Sequence, residues 1–357
     1  MLKKMDGIHL PRKIGIIGGG ITGLIVGIFL AKEGFKVTIY EKNKLLAQTS
    51  SKTTKLLHGG LRYLENLHFN EVKNGLNDRF WWLENFPKHT SKLKISIPFK
   101  SIYSIAFLKS FLGIKLYEIL AGSKNIGSSN ILKLHKDDVS ILKNEYNTML
   151  SFFDGSMDDI SLGSELIQSA RDLNIDLLEN TEVTDFERNG IIDGCKFDKI
   201  ILAVGPWSKI LLEQNNIESQ RDIDFIKGSH LIIDRKITSG LMFSSICKSR
   251  YIFALPYNGA TLLGTTEEKV KHPDDAKISR IEIDYLIDSF NQILKKPISV
   301  SEIISSYSGV RPLIKSNDNY HKSSRDFYIQ ENKSLLTIFG GKWTTSPSIA
   351  RKIVTMI

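Results

Sequence analysis

The glycine-rich segment near the N-terminus reads Ile14-Gly15-Ile16-Ile17-Gly18-Gly19-Gly20-Ile21-Thr22-Gly23, and it sets the architecture that we expect. Its apolar start predicts a short buried strand, and Thr22 to Glu33 predicts a helix that ends at Gly34. Glycines spaced G-x-G-x-x-G between a strand and a helix permit a tight turn, a close approach of pyrophosphate and close packing of helix on strand. The segment therefore predicts a dinucleotide-binding β-α-β unit.

A carboxylate closes this unit. The strand predicted for Lys36 to Tyr40 is followed by Glu41, whose side chain can accept a hydrogen bond from a ribose hydroxyl and disfavours a 2′-phosphate. The uncharged run from Ile14 to Ala31 also has the outline of a signal peptide or a membrane span. Its six glycines and the strand that follows favour the nucleotide fold instead. The unit by itself does not distinguish FAD from NAD.

A basic, glycine-hinged segment follows about ten residues later. It reads Ser50-Ser51-Lys52-Thr53-Thr54-Lys55-Leu56-Leu57-His58-Gly59-Gly60-Leu61-Arg62-Tyr63-Leu64-Glu65. Hydroxyl, basic and backbone N–H donors occur together here, and such donors can hold a pyrophosphate, a flavin edge and an anionic substrate at once. The segment therefore predicts a substrate that carries negative charge.

The composition is that of a folded protein large enough for two domains. Its 357 residues are 41% hydrophobic and 24% charged, and the net charge is +9. That charge suits an anionic substrate, an anionic membrane surface or nucleic acid, and it equally suits a genome that favours lysine, isoleucine and asparagine. No recognisable nucleic-acid-reading motif accompanies the charge, so we expect no nucleic-acid partner.

Cysteine usage indicates a reducing compartment. Cys195 and Cys247 are far apart and form no Cys-x-x-Cys arrangement. We therefore expect neither a disulfide framework nor a metal site.

The rest of the chain predicts two kinds of sheet. Lys199 to Val204 indicates another buried parallel strand, and Leu335 to Phe339, with a helix from Ser346 to Ile357, indicates that the nucleotide-binding domain is completed at the C-terminus. Arg221 to Gly264 favours an antiparallel sheet, and Ser279 to Leu294 favours a helix with a capping box. We predict an α/β fold: a discontinuous Rossmann-like domain (residues 11–90, 150–215 and 325–357) plus an α+β substrate domain with a mostly antiparallel sheet (residues 91–149 and 216–324).

Three further signals point to a reaction centre. Arg311 precedes a proline that restrains its backbone, and a rigid guanidinium suits phosphate or carboxylate, although a surface ion pair is the simpler interpretation. His230 is either a catalytic base or a structural histidine in a strand. The turn Gly340-Gly341-Lys342-Trp343-Thr344-Thr345 precedes a helix, so its N–H groups either stabilise negative charge on a reduced flavin or only cap that helix.

These motifs occur together in one known family. The sequence resembles the FAD-dependent glycerol-3-phosphate dehydrogenases, within the wider amino-acid-oxidase-like flavoprotein superfamily. The matching segments follow the family order across nearly the whole chain: Gly18 to Gly23 with Glu41, Ser50 to Glu65, Leu202 to Trp207, Lys227 to His230, Phe253 to Glu267, Gly309 to Leu313, Ser324 to Asp326, and Gly340 to Thr345.

The resemblance implies FAD as the cofactor and assigns the first domain to FAD binding. The residues that it places at FAD are Gly18, Gly20, Ile21, Thr22, Gly23, Glu41, Ser50, Ser51, Thr53, Thr54, His58, Gly59, Gly60, Val183, Gly205, Trp207, Gly341, Lys342, Trp343 and Thr344. Within this set, His58, Gly59 and Gly60 are implied to lie near the isoalloxazine ring.

The resemblance also implies how the substrate is bound and oxidised. Arg62, Tyr63, Arg325 and Lys342 surround it, and the basic members face its phosphate. Arg311 polarises the reacting oxygen, and His230 is the candidate base. In such enzymes the secondary C–H delivers hydride to flavin N5 while the hydroxyl proton leaves to a base or water, which gives dihydroxyacetone phosphate.

Two departures from the family pattern limit what the resemblance implies. Ser346-Pro347 stands where the pattern usually has tyrosine and arginine. The sequence ends at Ile357, so we expect the helical C-terminal domain of typical members to be missing. A shortened member can act on another phosphorylated polyol or a related alcohol, and its oligomeric contacts stay open.

The electron acceptor and the membrane form a separate question. Quinone at a membrane is the acceptor that the resemblance implies, with molecular oxygen as the alternative. The segment Ile105 to Leu120 has apolar residues at helical spacing with interspersed lysines, which suits a helix lying on an anionic bilayer and equally suits a helix packed on its own domain. We expect a cytoplasmic protein, with the inner face of the cell membrane as the further option.

The leading hypothesis is an FAD-dependent oxidation of sn-glycerol 3-phosphate or a close phosphorylated polyol. One alternative is an oxidase or dehydrogenase of the same superfamily that acts on another alcohol, an amine or an amino acid. The other is a flavin-binding protein without turnover.

Overall fold

The computed structural model describes residues 12–134, 141–248, 250–315 and 327–357. Its helices are α1 (Ile21–Lys32), α2 (Phe69–Asn85), α3 (Ile105–Ala121), α4 (Asp159–Asp172), α5 (Ser208–Gln214), α6 (Arg280–Asn291) and α7 (Ser346–Val354). Its strands are β1 (Lys13–Ile17), β2 (Lys36–Glu41), β3 (Leu56–Leu57), β4 (Thr90–Phe99), β5 (Asn130–Lys133), β6 (Thr148–Met157), β7 (Asp176–Glu179), β8 (Phe186–Glu187), β9 (Ile191–Ile192), β10 (Cys195–Lys196), β11 (Lys199–Leu202), β12 (Ile223–Ile233), β13 (Gly240–Ser244), β14 (Tyr251–Tyr257), β15 (Ala260–Gly264), β16 (Glu268–Val270), β17 (Ile303–Ile314), β18 (Phe327–Asn332) and β19 (Leu335–Gly340).

A six-stranded sheet carries the glycine-rich turn. Its order is β18-β19-β11-β1-β2-β7, and β1 pairs in parallel with both β2 and β11. Apolar side chains of β1 such as Ile14 and Ile16 have no exposed surface, because helices cover both faces of a parallel sheet. The pairing of β19 with β11 brings the C-terminal part of the chain into this sheet, as the sequence predicts.

The second large sheet is mostly antiparallel. Its order is β16-β12-β15-β14-β13-β4-β6-β3, with β17 added on β12 and β5 added on β6. The parallel exception is the contact between β13 and β4. Helix α6 covers this sheet, and Phe290 lies in the core between them. These two sheets confirm the predicted α/β fold class with a Rossmann-like part and a mostly antiparallel part. Strand β6 spans the proposed boundary at residue 150, and the domain boundaries themselves stay a prediction.

The predicted helices form, with small differences at their ends. At α6, the Ser279 side chain accepts from the Glu282 N–H while the Glu282 carboxylate accepts from the Ser279 N–H, so the predicted capping box is present. Helix α6 ends at Asn291 rather than Leu294, and α7 ends at Val354 rather than Ile357. In both, the turn after the last helical residue is tighter than an α-helical turn. The N–H of Ile293 donates to the carbonyl of Phe290, and the N–H of Met356 donates to the carbonyl of Ile353, three residues back in each case. Across the described ranges, every helix is too short or too polar to cross a bilayer.

Candidate active site

The turn between β1 and α1 can be built only from glycine at its two ends. Gly18 has a φ of +106°, and a Cβ on it would lie 2.6 Å from the carbonyl oxygen of Ala203. A Cβ on Gly23 would lie 2.0 Å from the carbonyl oxygen of Gly18. The turn therefore packs tightly against Ala203, just after β11, and places the positive N-terminal end of α1 in the cavity wall, which suits a ligand phosphate.

The carboxylate of Glu41 is held in place by this turn. Its Oε2 accepts the N–H of Gly19 at 2.8 Å, and its Oε1 accepts the N–H of Asn43 at 2.9 Å. The side chain lines a cavity of about 200 Å³ that runs along the carboxyl ends of β1, β2 and β11. This is the position at which a carboxylate meets a ribose in nucleotide-binding folds.

Most of the predicted cofactor residues line this nucleotide cavity or the one next to it. The nucleotide cavity is lined by Gly18, Gly20, Ile21, Thr22, Glu41, Ser50, Val183, Gly205 and Trp207. The second cavity, of about 280 Å³, is lined by Thr53, Thr54, His58, Gly60 and Thr344. Gly341, Lys342 and Trp343 line both, so the two cavities adjoin.

Three predicted cofactor residues line neither cavity. Gly23 is buried against Gly18. The Ser51 hydroxyl donates to the carbonyl oxygens of Ala47 and Gln48. Gly59 is buried, and its N–H donates to the hydroxyl of Tyr117 at 2.8 Å. These residues support the walls of the cavities rather than forming their surface.

The loop around Ser50 ties the two sheets together. The Ser50 hydroxyl accepts the N–H of Ile21 at the start of α1, and its carbonyl accepts Nε1 of Trp343 at 2.7 Å. The Thr49 hydroxyl donates to the carbonyl of Val310 on β17 at 2.9 Å. Both adjoining cavities therefore have a wall made by this one loop.

Lys55, in the same loop, is withdrawn from ligand binding by an ion pair. Its Nζ lies 2.6 and 2.7 Å from the two carboxylate oxygens of Asp159, and both side chains are buried. The hydroxyl of Thr53 donates to the same carboxylate at 2.8 Å. Lys55, one of the basic residues of the segment, therefore fixes the loop instead of binding a ligand.

One face of the β12–β17 pair forms the floor of the second cavity, which we call the reaction cavity. Gly228 lies opposite Gly309, and His230 lies opposite Tyr307. Because side chains alternate along a strand, these four residues and Arg311 share one face. A Cβ on Gly228 would lie 2.7 Å from Nη2 of Arg311, so the glycine makes room for the guanidinium.

Several cations converge on the reaction cavity. Arg62, Arg311 and Lys342 line it together with Tyr63. Nζ of Lys342 lies 3.3 Å from the Tyr63 hydroxyl and 4.7 Å from the centre of its ring. Nε of Arg62 is buried and has no hydrogen-bond partner within the described ranges, which fits an absent anionic ligand. Arg325, the fourth predicted substrate residue, lies outside the described residues.

His230 is uncharged at neutral pH. The pKa of His230 is lowered from 6.5 to about 3, first by burial and then by the positive charges of Arg311, Lys55 and Arg250. Its Nε2 lies 2.9 Å from the hydroxyl of Thr54, and its ring stacks on Tyr307 with 4.8 Å between the ring centres. An uncharged imidazole at a cavity wall has the lone pair that a proton acceptor needs.

A buried pair of charged residues in the reaction cavity has no individual assignment from the sequence. Arg250 and Glu267 line the cavity, are almost fully buried and form an ion pair at 3.3 Å. Glu267 is the last residue of the family-like segment Phe253 to Glu267, and this position in the sequence indicated that it lies near the site. Arg250 stands just before β14 without any motif, and we find no local signal for it.

The described residues fit FAD. The glycine turn and the anchored Glu41 suit a pyrophosphate and a ribose, and the adjoining reaction cavity has room at its Gly341–Trp343 edge for a ring system. A dinucleotide cavity that opens into a cavity with clustered cations and an uncharged histidine defines a flavin-dependent oxidoreductase. The chain belongs to the DAO family of FAD-dependent oxidoreductases, whose family model matches residues 13–356. FAD is therefore its cofactor, and the resemblance seen in the motifs is confirmed.

Two curated relatives align over nearly the whole chain. A glycerol-3-phosphate dehydrogenase of Pseudomonas tolaasii is 30% identical over 368 residues, which cover 96% of this chain and 71% of the relative. A D-erythritol 1-phosphate dehydrogenase of Brucella abortus is 31% identical over 361 residues, which cover 94% of this chain and 72% of the relative. This chain thus spans about two thirds of the length of the bacterial relatives that it matches.

A solved structure shares the fold over the full length of both chains. The L-α-glycerophosphate oxidase of Mycoplasma pneumoniae, solved with FAD bound, superposes with a TM-score of 0.75 at 18% identity. The superposition covers 97% of this chain and 94% of the oxidase.

Proposed function

We propose that this chain oxidises the secondary alcohol of sn-glycerol 3-phosphate, or of a close phosphorylated polyol, and that glycerol 3-phosphate gives dihydroxyacetone phosphate. The observation that carries the proposal is the convergence of Arg62, Arg311 and Lys342 on one cavity beside the FAD site. A phosphate dianion needs more than one cation, whereas the carboxylate of an amino acid needs one. Relatives named for glycerol 3-phosphate and for erythritol 1-phosphate support the same substrate class.

The cofactor is held along the two adjoining cavities in this proposal. The start of α1 and Glu41 would bind the pyrophosphate and the ribose, Val183 and Trp207 would lie at the adenine end, and the Gly341–Thr344 turn would lie at the flavin ring; all of these residues line the two cavities. When bound, FAD supplies a hydride acceptor for the substrate carbon.

The protein residues orient the alcohol and take up its proton. Arg62 and Lys342 bind the phosphate, and Tyr63 packs under Lys342 at 4.7 Å. Arg311 polarises the reacting oxygen. The hydroxyl proton passes toward Nε2 of His230, whose uncharged ring has a lone pair, and the negative charge of a bound phosphate offsets the nearby cations that lower its pKa.

Anaerobic mixing of the FAD-loaded protein with a substrate panel tests the proposal. We expect glycerol 3-phosphate or an erythritol phosphate to bleach the flavin absorbance, and we expect unphosphorylated glycerol, glycine and proline to leave it unchanged. Bleaching by glycine or proline alone would favour the amino-acid alternative. A flavin that stays oxidised with every compound would favour a flavin-binding protein without turnover.

We also propose that α3 rests on an anionic bilayer and that the electrons leave to a quinone there. Ile105, Leu112 and Ile119 are 74%, 58% and 73% exposed, although each is a large apolar side chain. Phe107 and Ile114 on the opposite face are buried. An apolar outer face with a lysine such as Lys109 beside it suits a helix lying in the bilayer interface. Hydrogen peroxide release without added quinone would point to oxygen as the acceptor.

A further inference from the structure

The carboxylate of Glu267 lies between two arginines in the wall of the reaction cavity. Its Oε2 is 3.3 Å from Nη1 of Arg250, and its Oε1 is 3.6 Å from Nη1 of Arg311. The side chains of Glu267 and Arg250 are only 4% and 6% exposed, whereas that of Arg311 is 27% exposed. One buried anion therefore contacts a buried cation on one side and a ligand-facing cation on the other.

Arg311 is held by two successive residues of the segment after β15. Its Nη2 donates to the carbonyl of Thr266 at 3.2 Å, and its Nη1 faces the carboxylate of Glu267. Since a guanidinium is planar, a hydrogen bond at one nitrogen and an ion pair at another restrain both its position and the direction of its plane. Thr266 and Glu267 thus help to orient Arg311 over Gly228.

Glu267 also changes the charge that a ligand meets. Five lysine and arginine side chains and three carboxylates of the described residues line the reaction cavity: Lys52, Arg62, Arg250, Arg311 and Lys342, and Glu65, Asp154 and Glu267. Glu267 is the carboxylate that contacts two of these cations, Arg250 and Arg311. Its charge acts strongly on a ligand because it is buried, where charges are screened less than at the surface.

We propose that Glu267 is a positioning and specificity residue: it orients Arg311 toward the reacting oxygen and lowers the positive charge that an anionic ligand meets in the cavity. This inference rests on the proposed function of the same cavity. Loss of the carboxylate should slow the reaction and at the same time strengthen anion binding. Loss of a purely structural residue would instead weaken both.

The experiment compares the FAD-loaded wild type with Glu267→Gln. Inorganic phosphate is titrated while the flavin absorbance is followed, and the anaerobic rate of flavin reduction is measured at saturating polyol phosphate. We expect Glu267→Gln to bind phosphate about tenfold more tightly, because a positive cavity loses a buried carboxylate. We expect its limiting reduction rate to fall about tenfold or more, because Arg311 loses the carboxylate that faces its Nη1.

Two further variants keep the result decisive if Glu267→Gln folds poorly because Arg250 loses this buried carboxylate. Glu267→Asp keeps the charge but shortens the side chain, so phosphate binding should stay near the wild-type value while reduction slows. In Arg250→Gln/Glu267→Gln the two buried charges are removed together, so phosphate affinity should return to within about threefold of wild type while reduction stays slow.

The outcomes distinguish this inference from the proposed function. If the wild type is reduced by a polyol phosphate, and the Gln variant binds phosphate no more tightly or is reduced as fast, the role of Glu267 is overturned and the proposed function stands. A Gln variant that loses affinity and rate in parallel also overturns it. If the wild type neither binds phosphate nor is reduced by any polyol phosphate, the proposed function fails and this inference fails with it.

Discussion

The hydroxyl of Thr54 lies 2.9 Å from Nε2 of His230. The other ring nitrogen, Nδ1, is buried and has no hydrogen-bond partner within the described parts of the chain. His230 therefore exchanges hydrogen bonds through Nε2, and it does so with a residue of the loop that borders both the FAD site and the reaction cavity. The cavity proposed for FAD and the proposed proton acceptor are thus connected through one short segment of chain.

Replacing Thr54 tests this relationship. We expect Thr54→Ala to slow anaerobic flavin reduction by about tenfold, because the imidazole loses the partner that holds its ring and its tautomer. Thr54→Ser keeps the hydroxyl and should stay within about threefold of wild type. Thr53→Ser, whose hydroxyl can still donate to Asp159, is the neighbouring control. Equal reduction rates for Thr54→Ala and Thr54→Ser would show that the Thr54 hydroxyl does not position His230.

The depressed pKa of His230 makes the stability of the protein pH-dependent in a defined window. The pKa is about 3 in the folded chain against an ordinary 6.5, so below pH 6.5 the unfolded chain binds a proton that the folded chain does not. The contribution of His230 to the free energy of unfolding is therefore complete above pH 6.5. It falls by up to about 1.4 kcal/mol per pH unit as the pH drops from 6.5 toward the folded-state pKa of about 3.

Chemical unfolding of wild type and His230→Asn at pH 5 and pH 7 measures this contribution. The wild type should lose about 2 kcal/mol more than the variant between these two values. The carboxylates cancel in the comparison because both proteins share them, including Asp78 and Asp154, whose pKa values are raised by burial, and Glu282, whose pKa is lowered from 4.5 to about 2. Parallel pH profiles for the two proteins would contradict the buried, uncharged state of His230.

The glycine turn should be intolerant of a single methyl group. We expect Gly18→Ala to purify with little or no FAD, because its Cβ would strike the Ala203 carbonyl at 2.6 Å and its φ is +106°. Gly113→Ala, in α3, is the matched control, since its Cβ would meet nothing within 4 Å. The control should keep its FAD and gain up to about 1 kcal/mol of stability. FAD content per chain, read from absorbance, checks both.

Binding to anionic liposomes tests the proposed role of α3. Leu112→Ser/Ile119→Ser removes two exposed apolar side chains and should weaken co-sedimentation with anionic vesicles by about tenfold or more. Ile281→Ser removes an 80% exposed apolar side chain from α6 and should have no effect. Salt should weaken the wild-type binding, because the lysines near α3 contribute through charge. Wild-type protein that stays in the supernatant at every salt concentration would contradict the proposal.

Local patterns predicted much of this fold for a physical reason. The strands β1 and β2 and the helix α1 are specified by neighbouring residues, since the turn at Gly18 and the apolar runs beside it act over a few positions. The capping box of α6 is equally local. The Ser50–Glu65 segment could be recognised because its donors are contiguous in sequence. Its role as a wall between two cavities depends on β17, which is distant in sequence.

The remaining site features depend on contacts between distant parts of the chain. The ion pair of Lys55 with Asp159 joins residues 104 positions apart, and no spacing rule reveals that it removes a lysine from ligand binding. Arg250 reaches the cavity wall only because β14 and β15 pair and bring it next to Glu267. Such pairs are selected by burial, where an unpartnered charge is costly, rather than by local sequence.

Trp343 gives the chain a built-in optical reporter. Its indole borders both cavities, donates to Ser50 and is fixed from behind by Trp82, whose Nε1 donates to the Trp343 carbonyl. A flavin absorbs in the region where an indole emits. Energy transfer from Trp343 to a flavin bound in the adjoining cavity will therefore quench the tryptophan fluorescence as the cofactor binds. Loading and release of FAD can then be timed in the unlabelled protein, and Trp343→Phe identifies how much of the signal comes from this one side chain.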